Sequence, residues 1–164
     1  MTTDPSGVKR HPFEAGVHGQ GPQSGDKRLT SGGALPFLMA AAVPAERELV
    51  FLSGHTPPVV DSAAPPDSPK AFGDTYTQTV GTLKEVKKSL EHLGLTLGHL
   101  VKLQVFLVGD PALGGRMDNE GFSRGYAEFF GTPEQPNLVV RTRMQVISLV
   151  NPGWLVEVEA LAVR

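Results

Sequence analysis

The 164-residue chain has no cysteine, which excludes disulfide bonds, thiol catalysis and cysteine-ligated zinc or iron–sulfur sites. It also lacks an excess of either charge, since its formal net charge is −2, and nothing in that balance favours nucleic acid or an anionic membrane as a partner. No apolar run approaches the length of a membrane span, and the first residues lack the apolar core of a secretory signal. We therefore expect a cytoplasmic protein with a single folded domain.

The first 33 residues are rich in glycine, proline, serine and charge, with scattered apolar residues. A segment of this composition buries too little surface to offset the entropy lost on ordering. The sequence therefore predicts a flexible tail over residues 1–33 and a domain over residues 34–164.

Hydrophobic periodicity predicts the element order ββ-α-β-α-ββ within the domain. The predicted elements are strands over 37–43 and 48–54 joined at Pro44-Ala45, a helix from the N-cap Asp74 to Gly94, a strand over 101–107, a helix over 118–130, and strands over 139–147 and 155–163. Two amphipathic helices covering one sheet face predict a two-layer α+β domain. The side chains expected to be buried are Tyr76, Val80, Leu83, Val86, Leu90 and Leu93 on the first helix, Phe122, Tyr126 and Phe129 on the second, and Val101, Leu103, Val105 and Leu107 on the strand between them.

The strand over 139–147 has two different faces, because side chains alternate along a strand. One face carries Val140, Met144 and Val146, and the other carries Arg141, Arg143 and Gln145. The next strand places Glu157 and Glu159 on one face, and we expect these glutamates to face the arginines across a hairpin. This polar face is either the solvated side of the sheet or an anion site that oligomerisation buries.

Four segments are arranged as in a known family: 51–57 (FLSGHTP), 94–102 (GLTLGHLVK), 126–131 (YAEFFG) and 156–164 (VEVEALAVR). In order and spacing they resemble the RidA (YjgF-type) reactive-intermediate deaminases across residues 36–164. The resemblance implies a chorismate-mutase-like fold, with a mixed sheet and two helices on one face. It also implies a homotrimer with clefts between subunits. The expected reaction is hydrolysis of enamines and imines, such as 2-aminoacrylate and 2-iminopropanoate, to 2-keto acids and ammonia, without metal or cofactor.

The resemblance also assigns roles to four residues of this chain. Arg141 stands at the position of the carboxylate-binding arginine, and Glu157 at that of the glutamate that orients or activates water. Ser53 and Gly54 match the strand end that lines the cleft, where a glycine allows close approach of the backbone to a ligand.

Three positions that we also expect to contact substrate depart from the family pattern. Phe37 stands where many relatives have tyrosine, Ser123 where asparagine is frequent, and Arg143 where small residues are common. Because Arg143 shares a strand face with Arg141, one hypothesis is a site for a more acidic or larger substrate. The alternative is a salt bridge from Arg143 to Glu157 or Glu159.

Other functions compatible with the same residues are a non-catalytic trimeric module that binds keto acids, and a specialised hydrolase on the same scaffold. His55 follows the cleft glycine and could act as a general acid or base, although an exposed loop histidine is the commoner case. Lys84, Lys87 and Lys88 could suggest an RNA-binding face, but without interleaved aromatic residues they are more typical of a solvated helix face. We therefore expect no nucleic-acid partner.

Overall fold

The computed structural model describes residues 6–13 and 35–164. The elements in chain order are β1 (Lys9–His11), β2 (Ala40–Ala42), β3 (Leu49–His55), α1 (Thr75–His92), β4 (Leu100–Val108), α2 (Asn119–Ala127), β5 (Val140–Val146) and β6 (Val156–Val163). Both α-helices pack on one face of a four-stranded mixed sheet, which confirms the predicted two-layer α+β fold. Neither of these helices is long and apolar enough to cross a bilayer.

Helix α1 begins and ends where the sequence predicts. The Asp74 carboxylate accepts a hydrogen bond from the Thr77 amide at 2.8 Å, and this bond holds the pKa of Asp74 below its usual range. Gly94 adopts φ 72° just beyond the helix, a conformation that glycine takes without strain. The sequence predicts both helix ends correctly because the N-cap bond and the left-handed glycine depend only on residues nearby in the chain.

The buried face of α1 is more polar than predicted. Leu83, Val86 and Leu90 are buried as expected, but the first turns bury Thr75, Gln78, Thr79 and Thr82 rather than Tyr76 and Val80. The Gln78 amide donates to the carbonyls of Gly73 and Gly153 at 3.0 Å each, and accepts from the Leu155 amide at 2.7 Å. This buried side chain therefore fixes the start of α1 against the segment that enters β6.

The sheet order β3-β6-β4-β5 corrects the predicted hairpin between the last two strands. β5 pairs in parallel with β4, and β6 lies antiparallel between β3 and β4. The cause is α2, which connects β4 to β5 as a crossover and so makes those strands parallel neighbours. β5 and β6 follow each other in the chain without being adjacent in the sheet.

The predicted common face for the arginines and glutamates is also wrong. Arg141 and Arg143 are paired with Leu103 and Val105, which are fully buried in the core beneath the helices. The two arginines therefore lie on the helix-covered face of the sheet. Glu157 is paired with Phe106, and it lies with Glu159 on the opposite face, which we call the open face.

Part of the predicted tail forms a strand. β1 pairs antiparallel with β2, in the register that matches Arg10 with Ala41, so the tail prediction does not hold for residues 9–11. The expected hairpin between strands 37–43 and 48–54 is absent from the described residues as well, because β2 pairs with β1 and β3 pairs with β6. The rest of the predicted tail, residues 1–5 and 14–33, lies outside the described residues.

Candidate functional site

Arg141 lies on the edge strand β5 among three aromatic rings. Its guanidinium carbon is 4.5 Å from the ring centre of Tyr126, 4.9 Å from that of Phe37 and 5.3 Å from that of Phe122. Ring faces attract a guanidinium without using its N–H groups, which donate in the guanidinium plane. The arrangement therefore holds a cation whose planar fork is suited to a carboxylate.

Two of these rings come from α2, and the third comes from the segment before β2. Phe122 and Tyr126 are four residues apart on α2 and share its buried face. Phe37 is placed beside β5 because the next residue, Leu38, forms a parallel bridge with Val140. The sequence predicts that Phe122 and Tyr126 are core residues, but its periodicity does not reveal their contact with Arg141.

Burial raises the pKa of the Tyr126 phenol to about 12, although the charge of Arg141 acts in the opposite direction. The phenol is neutral near pH 7, as a tyrosine with its usual pKa is, and the raised pKa extends this into alkaline solution. An anion that approaches Arg141 consequently meets no negative charge from this ring.

Arg143 lies two residues after Arg141 on β5, on the same face of the sheet. Its Nη1 donates to the Ser123 hydroxyl at 3.1 Å and to the Asn119 carbonyl at 3.3 Å, and its guanidinium carbon lies 5.3 Å from the Phe122 ring centre. A salt bridge from Arg143 to Glu157 or Glu159 of the same chain is wrong, since these side chains lie on opposite faces of the sheet. The structure instead brings Arg141, Arg143, Phe37 and Ser123 together, and we call these residues the arginine group.

Glu157 and Gly54 form a second group, on the open face. A Cβ at Gly54 would lie 2.0 Å from the Glu157 Oε1 and 2.9 Å from its Cδ, so the carboxylate occupies the space that a larger residue would fill. The pairing of β3 with β6 shifts register between Leu52 and His55, and this irregularity contains Ser53 and Gly54. Ser53 and Gly54 are exposed and Glu157 is partly buried. We call Ser53, Gly54 and Glu157 the glutamate group.

His55 stabilises this irregular end of β3 from the other side of the sheet. Its Nδ1 lies 2.8 Å from the Ser53 carbonyl, and its Nε2 lies 2.7 Å from the Ser89 hydroxyl on α1. A carbonyl can only accept, so Nδ1 carries a proton, and in the neutral ring Nε2 accepts from the serine. His55 therefore joins β3 to α1 on the helix side, whereas Gly54 meets Glu157 on the open face.

The single chain does not bring the two groups together. The arginine group lies on the helix face at the β5 edge, and the glutamate group lies on the open face near the β3 edge. Strand β4 separates β5 from β6. Within residues 6–13 and 35–164, no three His, Asp or Glu side chains cluster as metal ligands would.

Comparison with known protein families gives one match over most of the chain. Residues 39–164 match the family model described as Endoribonuclease L-PSP. Among curated proteins, no significant match to the chain was found.

Solved structures with the same fold come from several bacteria. The YjgF gene product of E. coli is 28% identical, with 71% of this chain and 80% of that chain covered and a TM-score of 0.52. E. coli TdcF, solved with bound serine, is 26% identical, with coverages of 74% and 84% and a TM-score of 0.53. A Pseudomonas aeruginosa protein of unknown function is 27% identical, with coverages of 94% and 91% and a TM-score of 0.56.

Proposed function

The chain belongs to the YjgF/RidA family, and on that premise we propose that it is an enamine/imine deaminase. The proposed reaction hydrolyses 2-aminoacrylate, or its tautomer 2-iminopropanoate, to a 2-keto acid and ammonia. The observation that carries the proposal is Arg141, a guanidinium among three aromatic rings on a rigid strand.

Arg141 supplies the contact that such substrates need. Imines of this class carry a carboxylate beside the reacting carbon, and a charge-assisted bond to a carboxylate contributes roughly 1.5–3 kcal/mol. The rings of Phe37, Phe122 and Tyr126 exclude water from the faces of the guanidinium, and lower local polarity strengthens an ionic contact.

Glu157 is the proposed general base. A protonated imine is already electrophilic, so the protein has to place a water molecule and accept its proton. Water adds to the imine carbon while the Glu157 carboxylate takes one proton. Return of that proton to nitrogen makes ammonia the leaving group. The C–N bond then breaks as the Glu157 carboxylate takes the remaining hydroxyl proton, which yields the keto acid and ammonia. Gly54 supports this role because its missing side chain leaves room for the carboxylate.

Oligomerisation is part of the proposal, since the two groups are apart in one chain. We propose a homotrimer in which the arginine group of one copy meets the glutamate group of the next. The open face offers apolar surface for such contacts, for example Phe51, which is 78% exposed on β3. Each cleft would then take residues from two subunits.

The test is ammonia release from imines generated in situ by an amino-acid oxidase. The chain should accelerate release, and Arg141→Ala should lose about 10- to 100-fold in kcat/KM, as expected for one charge-assisted contact. Arg124→Ala is the matched control, because Arg124 lies on the outer side of α2 over the Tyr76 ring and should leave the rate unchanged. Equal rates for wild type and Arg141→Ala contradict the proposal.

A second candidate is a carboxylate-binding module without turnover. The observation in its favour is that the arginine group is complete in one chain, whereas Glu157 lies elsewhere. The bound serine in TdcF also supports an amino-acid-like ligand for this fold. Calorimetric binding of a 2-keto acid without any acceleration of ammonia release would favour the module.

RNA cleavage has less support, despite the description of the family model. On α1, Lys87 lies 3.7 Å from Glu91 and Lys88 lies 2.6 Å from Glu85, so this lysine face is largely compensated. The Arg143 guanidinium donates to Ser123 and Asn119, which favours a role in positioning α2 against β5 over the hypothesis that Arg143 selects acidic substrates.

A further inference from the structure

The N-terminal strand β1 pairs with β2, Val8 beside it packs against Val101 and Val163, and Arg10 adds a polar anchor to the rest of the domain. The Arg10 guanidinium donates to the carbonyls of Leu138 at 2.7 Å, Leu100 at 3.0 Å and Gly98 at 3.0 Å. These carbonyls lie at the entrance to β4 and just before β5. Arg10 therefore fixes β1 at the end of the sheet from which Arg141 projects.

Two residues after β1, Phe13 reaches the arginine group. Its ring packs edge-on against Phe37, with 5.7 Å between ring centres and an interplanar angle of 80°. The Phe37 ring in turn lies 4.9 Å from the Arg141 guanidinium carbon. Arg10 thus anchors the strand that leads to Phe13, and a series of ring contacts runs from Phe13 through Phe37 to Arg141.

Neither aromatic residue of this series belongs to the part of the chain that matches the family model, which begins at residue 39. Arg10 also precedes that part. The series therefore begins outside the part that the family model covers, and it leads directly to the arginine that we assign to carboxylate binding.

We propose that β1 forms part of the ligand site, with Phe13 as a positioning residue that holds Phe37 over Arg141 and makes the site selective for carboxylates with an apolar side chain. This inference rests on the proposed role of Arg141 in carboxylate binding. The physical reason is that the ligand's carboxylate must lie in the guanidinium plane, which brings its side chain alongside the aromatic rings. Arg143, the nearest second cation of this group, already donates to Ser123 and Asn119.

The test compares three 2-keto acids by calorimetry: pyruvate, phenylpyruvate and 2-oxoglutarate. Wild type should bind phenylpyruvate most tightly. Phe13→Ala should weaken phenylpyruvate binding by about three- to tenfold, the value of one aromatic pair, and weaken pyruvate binding by less than about twofold. Phe13→Tyr should restore the preference, because it keeps the ring.

Arg10→Met provides a second route to the same result, since it removes the three anchoring bonds while keeping an apolar stem. It should reduce the preference for phenylpyruvate in the same direction as Phe13→Ala. Val59→Ala is the control, because Val59 is an exposed apolar residue in the loop after β3. It should leave all three affinities unchanged.

Several results would overturn the inference: tightest binding of 2-oxoglutarate by wild type, equal losses for pyruvate and phenylpyruvate in Phe13→Ala, or no binding of any keto acid. Ammonia release is measured on the same preparations and keeps the two proposals separate. Selective binding without release overturns the deaminase function and supports this inference. Normal ammonia release with an unchanged preference for phenylpyruvate in Phe13→Ala supports the deaminase function and overturns this inference.

Discussion

Gly54→Ala tests the role of Glu157 without removing its carboxylate. The new methyl group would lie 2.0 Å from the Glu157 Oε1 and 2.9 Å from its Cδ. Ordinary contact begins near 3.5 Å, so the carboxylate has to move by about 1.5 Å. The fold can accommodate this, because the clashing atoms belong to the end of a partly exposed, flexible side chain.

The expected effects on stability and activity therefore separate. The free energy of unfolding should change by less than about 1 kcal/mol, since alanine also restricts the unfolded chain. Ammonia release should fall by about 100-fold, because a displacement of this size removes a base from its working position. Urea unfolding and the oxidase-coupled ammonia assay measure the two quantities on one preparation.

Gly98→Ala is the matched control. Its Cβ would find the Thr96 Oγ1 at 3.4 Å, which is ordinary contact, so both stability and activity should be retained. In the double variant with Glu157→Gln, the loss should be no larger than that of the worse single change, because both act on one carboxylate. Full activity of a stable Gly54→Ala variant would refute the assignment of Glu157 as the base.

Three further predictions concern the groups that stabilise the fold. Asp74→Ala should lower the free energy of unfolding by about 1 kcal/mol at neutral pH. Because the folded pKa of Asp74 is lowered, this contribution should vanish as pH falls below 3.8, and urea unfolding in acid checks it. Gln78→Leu should lower the free energy of unfolding by roughly 2–4 kcal/mol, because the buried Gly153 carbonyl and Leu155 amide lose their bonds to Gln78. A thermal scan measures this loss. Folding raises the pKa of Tyr126 from 10.0 to about 12, so the folded state holds the phenol proton more tightly. The free energy of unfolding should therefore fall by roughly 2–3 kcal/mol as pH rises from 10 towards 12. Alkaline unfolding of Tyr126→Phe should show a flatter dependence on pH over that range, and an identical slope would contradict this assignment.

Local signals in the sequence predicted the helices well. Asp74 and Gly94 marked the ends of α1, because an N-cap and a left-handed glycine act within one turn of the chain. Alternation along β4 also placed Leu103 and Val105 in the core. These features depend on neighbours in sequence, which a single chain displays directly.

Relations between strands were predicted less well. Alternation shows which residues of β5 share a face, but it does not say which face the helices cover. We placed Arg141 on the face opposite the helices, whereas it lies beneath α2 against Phe122 and Tyr126. The preference for a parallel crossover through α2 could have placed β5 beside β4 and so beside Leu103. The resemblance selected Arg141 and Glu157, but it did not show that one chain keeps them apart.

Complementation tests whether Arg141 and Glu157 act together in a cleft formed by two copies of the chain. Arg141→Ala and Glu157→Gln alone are each expected to keep about a tenth of wild-type activity or less. Refolded together in equal amounts, they should recover about a quarter of wild-type ammonia release, because one cleft in four receives the intact arginine from one copy and the intact glutamate from the next. Mixed oligomers that form but are no more active than either variant alone would contradict the account.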